Sequence, residues 1–477
     1  MSRGLRRRLS IGLFGVLAGL ILRLGILIVI VVSTAGDQDR SGSRAFNGGD
    51  SWQYLLLAEN LVEHGAFSLS KDQPYHPDFL RTPGYPIFLA ALYLLAGRSH
   101  DPILIVFFQV LLSTCNILLL IKIGERLFNT RVAHIAGLIY ALAPATLIFT
   151  GLVMTETLFT TFLLGGILLL TSVVKVRRYQ WIYAISVGVI FAAMTYVRPI
   201  GIFFIPIPML YLVLKSKWSR ASVRSALLIA IAFIIALFPW YYRNYFHSKT
   251  IIFSSIGGTN LLFYNVASIE AQRQNISWDR AREELSDELN ERLAQMPRNK
   301  PLQVRQHIIA TEIARKHLLA HPLESLLYQS LDALNSLRPG YSMATLVMRD
   351  DASQFGAKVQ SGDLAVIGEG AIHEVAMFML MTIYYAVLYV LSLTGSFLLI
   401  RQRRRSSFIL ISLILLWFLY APGKAGNARF RVPTEGFFSL IAATGLVWLV
   451  AKVRQFISGY QHRSVSLDRA VMTKDSP

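Results

Sequence analysis

The chain has 477 residues, 54% of them hydrophobic and 16% charged, with a formal net charge of +19 and a mean hydropathy of +0.48. A soluble domain carries roughly 25% charged residues, and here the apolar excess falls in runs of about 15–25 residues, long enough to cross a bilayer. That excludes a soluble enzyme, a disordered chain and a fibrous protein, and the lone Cys115 excludes an intrachain disulfide framework or a cysteine metal site.

Ten spanning helices are expected, near residues 11–33, 103–121, 132–152, 157–174, 181–197, 200–214, 225–241, 375–400, 407–421 and 437–451. The first follows a basic start like that of a secretory leader, but it is longer than a leader's apolar core and is read as retained. Segment 34–102 comes next. Its stretch 85–96 is apolar, yet at ~1.5 Å per residue it is too short for a hydrocarbon core ~30 Å thick, so an interfacial helix is expected. Segment 242–373 holds charged helical stretches around 279–295 and 304–320, and its charges nearly balance, as in a small packed helical subdomain. The expected organisation is a transmembrane half over 1–241, a helical subdomain over 242–373, three further spans over 374–452 and a basic tail over 453–477.

The basic residues are not spread evenly. The even-numbered connections and both termini hold 23 Lys and Arg against 3 acids, whereas the rest of the chain holds 24 basic and 25 acidic residues. Charge that punctuates apolar runs is a topology signal and not a nucleic-acid surface, so no nucleic-acid partner is expected. The positive-inside rule puts both termini and the basic loops in the cytoplasm, and the two long segments on the outer face of the cell inner (plasma) membrane.

Charges at membrane depth are costly, so they mark candidate sites. Asp50, Arg81, Glu156, Arg198, Arg243, Lys424, Arg429 and Arg431 all fall near the outer ends of helices, and Arg23 lies inside the first span. Arginines beside a carboxylate at an interface suit a lipid-linked anionic substrate, because a guanidinium grips phosphate oxygens bidentately. Each has a plainer reading too. Asp50 before Ser51-Trp52-Gln53-Tyr54 reads as a helix N-cap with Gln53 as its capping-box partner. Glu156 reads as a cap of the fourth span, and Arg198 and Arg243 as cations snorkelling to headgroups. Arg23 snorkels less easily and calls for a buried partner. Asp37-Gln38-Asp39 matches a D-x-D metal triplet and Asn275-Ile276-Ser277 a glycosylation sequon, both common by chance. Walker, zincin and serine-hydrolase motifs are absent from the sequence.

The first long segment is more specific. Asp50-Ser51-x-x-Tyr54-x-x-Leu57-Ala58-x-Asn60-Leu61, then Gly65-x-Phe67-Ser68 and Arg81-Thr82-Pro83-Gly84-Tyr85-Pro86, resembles the opening loop of GT-C glycosyltransferases, in particular the bacterial branch related to protein O-mannosyltransferases and the lipid A aminoarabinose transferase. Thr155-Glu156, Arg198-Pro199, Pro239-Trp240-x-x-Arg243-Asn244, Gly257-Gly258-x-Asn260 and Gly426-x-x-Arg429-Phe430-Arg431 follow in the same order relative to the helices. The resemblance implies a GT-C-like bundle with interfacial helices, and inverting transfer of a sugar from a polyprenyl-phosphate donor to an envelope glycan, lipid or protein acceptor. It implies Asp50 as catalytic base with Glu156 as the second catalytic acid group. Arg81 becomes a contact to donor phosphate, joined by Arg198, Arg243, Arg429 and Arg431, and Tyr54, Tyr85, Asn260 and Lys424 become pocket residues. The chain departs from the pattern in carrying Ser51 where several relatives have a second acid, and in carrying Glu435-Gly436 where a proline is expected. No metal ligand set is expected, although a lone Asp50 neither demands nor excludes a divalent ion. A transporter or flippase of lipid-linked glycans is the rival from another class, and it would need charges near the bilayer midplane and broken helices. A glycan polymerase or ligase shares the chemistry but lacks this opening loop.

Overall fold

A computed structural model describes residues 3–33, 49–97, 101–338, 372–401, 405–422 and 428–472, and among these it contains helices and no strand. Seven of the helices are long and apolar enough to cross a membrane. They are α1 (Arg3–Ser33), α4 (Pro102–Leu127), α7 (Glu156–Lys175), α8 (Gln180–Val197), α10 (Arg220–Ser248), α16 (Ile372–Arg401) and α18 (Glu435–Met472). An eighth crossing is the bent pair α5 (Thr130–Ala141) and α6 (Pro144–Gly151), which meet at 52°. Pro144 has no N–H to continue the ladder and excludes the helical conformation from the residue before it, so the break falls there.

Ten crossings are therefore not confirmed among the described residues, since the other two expected stretches are shorter apolar helices. The stretch expected at 200–214 opens as a 3-10 turn, Pro199–Phe204, and leaves α9 (Pro206–Lys215) with 10 residues. Pro206 and Pro208 shorten that helix, and 10 residues rise only ~15 Å. The stretch at 407–421 is α17 (Arg405–Tyr420), 16 residues or ~24 Å.

Among the described residues, two short helices lie between α1 and α4: α2 (Ser51–His64) and the expected interfacial-length α3 (Gly84–Leu95). The beginning of α3 sits directly on the end of α8. A Cβ on Gly84 would lie 2.6 Å from the Tyr196 carbonyl carbon, and the Thr82 hydroxyl donates to the Val197 carbonyl at 3.1 Å. Only glycine permits this approach, and it carries the 78–82 loop against the end of α8.

Arg23, fully buried in α1, has found its partners in neutral groups. It donates to Ser113 Oγ at 2.7 Å, to the Gly19 and Ala141 carbonyls at 3.0 and 3.2 Å, and to Thr146 Oγ1 at 3.3 Å. Four helices are thereby tied to one cation, and buried donors on a guanidinium need that many acceptors.

Beyond α10 the chain forms α11 (Ile256–Asn260), a π turn (Leu261–Val266), α12 (Ala267–Gln274), α13 (Trp278–Gln295), α14 (Leu302–Ala320) and α15 (Pro322–Asn335). The π turn, α12, α13 and α14 share an apolar core of their own around Leu262, Val266, Leu285, Leu289, Ile309 and Ile313. The stretches expected at 279–295 and 304–320 are α13 and α14. The sequon hydroxyl, Ser277 Oγ, accepts from the Arg280 N–H at 3.2 Å and caps α13.

Candidate functional site

At the end of the bundle remote from the basic loops, five charged side chains from four parts of the chain converge. Asp50 stands at the N-terminus of α2, but it is not the side-chain cap the sequence suggested. Its Oδ1 accepts from Arg81 Nη2 at 2.5 Å and its Oδ2 from Arg429 Nη1 at 2.9 Å. Gln53 is likewise no capping partner, since its Oε1 accepts from Arg81 Nε at 2.6 Å. Two guanidiniums offer charge-assisted bonds stronger than any backbone amide could, so they take the carboxylate and the amide away from the helix end.

Glu156 opens α7, and its side chain is fully buried. Glu156 Oε1 accepts from Arg198 Nη1 at 2.7 Å and also from Arg429 Nε. Arg198 can reach it because Pro199 excludes the helical conformation from the preceding residue; Arg198 is extended at φ −144°, ψ 126°, and leaves the end of α8. Its guanidinium stacks over the Phe430 ring at 4.9 Å, so Arg198 does not snorkel.

Arg81 is held from both sides. Its backbone N–H donates to Asp78 Oδ2 at 2.9 Å, and its guanidinium lies 5.2 Å from the Tyr54 ring centroid, with Nη1 3.4 Å from the Tyr54 hydroxyl. Asp78 Oδ1 in turn accepts from Gln303 Nε2 of α14 at 2.9 Å, which joins the loop to the helices beyond α10.

Among the described residues, two carboxylates facing three guanidiniums leave one positive charge in excess. Access is unequal. The Asp50 side chain is 30% exposed and Arg429 20%, whereas Glu156 is shut off. Burial alone would raise the Asp50 carboxyl; the guanidiniums of Arg81 and Arg429 outweigh it and hold the group below its ordinary 3.8. Asp50 is thus an ionised carboxylate at the open edge of the cluster, and Glu156 is an anchor that orients Arg198 and Arg429.

Several expected site residues stand elsewhere. Arg243 donates to the Asp78 and Phe67 carbonyls at 2.7 and 3.3 Å and stacks on Trp240, bracing the 67–79 loop from behind. Arg431 is fully buried and points away from Arg429, with which it shares the short helix Ala428–Arg431. It donates to Glu435 Oε1 at 3.0 Å and to the carbonyls of Ser336, Leu337 and Arg338 at 3.4, 3.0 and 2.9 Å. The Glu435 that departs from the expected proline is this arginine's counter-ion. Tyr85 is fully buried; it packs edge-on against Tyr54 and donates to Gln109 Oε1 at 2.9 Å, so it supports the cluster without reaching its open edge. Asn260 lies on α11, which packs on α14 and follows directly on Ser254 and Ser255, whose hydroxyl and N–H donate to the Leu80 and Phe79 carbonyls beside Arg81. Lys424 and the Asp37-Gln38-Asp39 triplet lie outside the described residues. Among the described residues no group of three or more His, Cys, Asp or Glu side chains is placed to hold a metal ion. Gln53, Asp78 and Phe430 belong to the arrangement without having been expected, and only the neighbourhood of Asp50, Arg81 and Arg429 in sequence hinted at them.

Residues 76–242 match the family described as dolichyl-phosphate-mannose-protein mannosyltransferase. No curated protein sequence matches the chain. Among solved structures, the chain is similar to the oligosaccharyltransferase of Archaeoglobus fulgidus tethered with an acceptor peptide containing the NVT sequon. That likeness has a TM-score of 0.52 at 10% identity and covers 94% of this chain and 50% of the other. The same archaeal enzyme, AglB, in complex with an inhibitory peptide and a dolichol-phosphate gives 0.52 at 11% identity, over 95% and 52%. The chain carries the GT-C fold. The chain spans about half the length of that oligosaccharyltransferase. ArnT from Cupriavidus metallidurans bound to undecaprenyl phosphate overlaps more loosely, with a TM-score of 0.38 at 13% identity over 89% of this chain and 77% of that one. Within the GT-C frame the family match takes in Arg81, Glu156 and Arg198, while Asp50 and Arg429 flank it on either side.

Proposed function

We propose that the protein is an inverting glycosyltransferase of the plasma membrane, moving a sugar from a polyprenyl-phosphate donor to an acceptor on the extracytoplasmic face, with both termini in the cytoplasm. The observation that carries the reading is the junction of one reachable carboxylate, Asp50, with the guanidiniums of Arg81 and Arg429 at the membrane end of a GT-C bundle. The acceptor hydroxyl oxygen attacks the anomeric carbon, and its proton passes to Asp50. The bond from that carbon to the phosphate oxygen breaks, and the electron pair leaves with the polyprenyl phosphate. The phosphate gains one negative charge in the step, and cations already in place stabilise it. Such a leaving group needs no general acid, and a single displacement needs one base.

The resting cluster adds a control. Asp50 is locked by the two arginines that a donor phosphate would claim. Binding the donor therefore draws Arg81 and Arg429 toward phosphate and frees the carboxylate to act as base only when there is substrate to react. The apolar groove of about 640 Å³ lined by Ile202, Phe233, Leu237, Phe238 and Tyr241 begins four residues beyond Arg198 and suits the prenyl tail. A more polar cleft of about 520 Å³, lined by His76, Asp78, Phe79, His247 and Gln303, opens between the first long segment and α14, and suits acceptor approach.

The test is transfer of labelled sugar from a polyprenyl phosphate in proteoliposomes, beside mass spectrometry of envelope glycans from a strain lacking the protein. Asp50→Asn should insert normally and lose on the order of 10²–10⁴-fold in turnover, the contribution of a positioned base. Near-normal turnover would assign the base elsewhere. Arg81→Ala should weaken donor binding by roughly 10–100-fold, as expected for a charge-assisted bond; unchanged donor affinity would remove Arg81 from the site.

A further inference from the structure

α15, Pro322–Asn335, is amphipathic in the opposite sense to a helix that packs in water. Its buried residues form a polar stripe at helical spacing: Ser325, Gln329 and Asp332, continued by Ser336 just past its end. On the other side Leu323, Leu326, Leu327, Leu331 and Leu334 form one apolar face, and they are 43–80% exposed. A helix on the surface of a soluble subdomain turns its leucines inward, and α13 does so with Leu285 and Leu289.

What lies outside this face follows from where the helix sits. Gln329 Nε2 donates to the Tyr420 carbonyl at 2.7 Å, and Gln329 Oε1 accepts from Asn265 Nδ2 at 3.3 Å. Tyr420 is the last residue of the apolar helix α17, and one turn below it Leu416 is also exposed. α15 thus packs by its polar stripe on the end of this apolar helix and leaves its leucine face turned outward. Fourteen residues rise ~21 Å, too little to cross a bilayer and enough to lie along its boundary. The helix contains no Lys or Arg, so an anionic headgroup offers it nothing.

We propose that α15 is seated in the lipid leaflet at the end of the bundle that carries the acid–arginine cluster, its leucine face among acyl chains and its polar stripe on the protein. The partner is the apolar region of a bilayer, without preference for headgroup charge. The proposal needs only a membrane-spanning protein and is independent of sugar transfer.

The experiment uses the full chain with Cys115→Ala, which removes the one native thiol, in phosphatidylcholine nanodiscs. Single cysteines at Leu327→Cys, Leu334→Cys and, as a water-exposed control on α13, Glu291→Cys carry a nitroxide. The α15 labels should be relaxed strongly by oxygen and little by a water-soluble nickel chelate, with the reverse at the control, and adding phosphatidylglycerol should leave the pattern unchanged. Nickel access at α15 equal to that at the control would place the face in water and overturn the proposal. Exclusion of both reagents would mean that protein covers the leucines, from residues 339–371 or a second copy, and would overturn it equally. The cysteines replace exposed side chains and disturb no packing, so correct folding of the labelled proteins is expected and is checked by their chromatographic behaviour.

Discussion

Arg429 donates to both carboxylates of the cluster, and the two acids are otherwise served by different arginines. Its loss would leave buried Glu156 with one guanidinium, that of Arg198, and the Thr155 hydroxyl. Breaking a fully buried pair costs about 3–5 kcal/mol; Arg429 is one-fifth exposed, so Arg429→Met should lose less than that in a thermal or denaturant melt in detergent, and more than a surface pair's ~1 kcal/mol. Asp50 makes the pH prediction. Only its deprotonated form can take a proton, and the arginines depress its value below 3.8, so the group stays ionised as pH falls until that depressed value is reached. The acid limb of kcat/KM due to Asp50 should then lie below pH 3.8, because that parameter reports the free enzyme. The limb of kcat should lie higher, since bound phosphate has taken the arginines and burial then pushes the carboxyl up. Coincident limbs would mean that the arginines never leave Asp50. Asp50, Arg81, Glu156, Arg198 and Arg429 were legible in sequence because each is a charge beside an apolar run, where a charge without purpose is expensive. Arg243 and Arg431 carry the same signature and belong to other contacts, because sequence position at a helix end does not say which way a guanidinium turns.

Among the elements, α3 and α8 decide where Arg81 and Arg198 meet. Gly84→Ala would push a methyl to 2.6 Å from backbone atoms of Tyr196, which cannot yield as a flexible side chain could. Overpacking of this kind costs roughly 1–3 kcal/mol, and the displaced α3 should raise the donor KM; a stable variant with normal donor KM would show that the α3–α8 contact is not what holds Arg81. The long helices and α13 and α14 were readable from apolar length and charge periodicity. Pro206 and Pro208 mark the sixth expected span as broken in sequence, whereas the kink before Pro144 is hidden, because a proline-interrupted apolar run keeps its hydropathy while losing its ladder. Nothing in the sequence singles out α15. Its leucines suggest an ordinary core-facing helix, and only coordinates reveal that the polar stripe faces inward.

At the scale of the whole molecule, 23 basic residues against 3 acids on one set of loops and termini make the orientation a matter of charge. A fluorescent protein fused after Pro477 should fluoresce, as it does only in the cytoplasm, and a cysteine at Glu291→Cys in the Cys115→Ala background should react with an impermeant maleimide added to intact spheroplasts. A dark fusion or a protected cysteine would invert the orientation. The bundle itself was legible because a bilayer imposes length and apolarity on every span. The convergence of Asp50 with Arg429, almost the whole chain apart, was visible only as a shared end of the membrane and not as a contact.

Arg429 and Arg431 sit two residues apart on a single turn of helix, one gripping the acids of the cluster and the other gripping the last carbonyls after α15. A turn pinned on opposite sides behaves as a rocker: when phosphate pulls one guanidinium, its neighbour must either strain against three carbonyls or carry them along. On the reading proposed above, release of the spent carrier would therefore load the end of α15 through this turn.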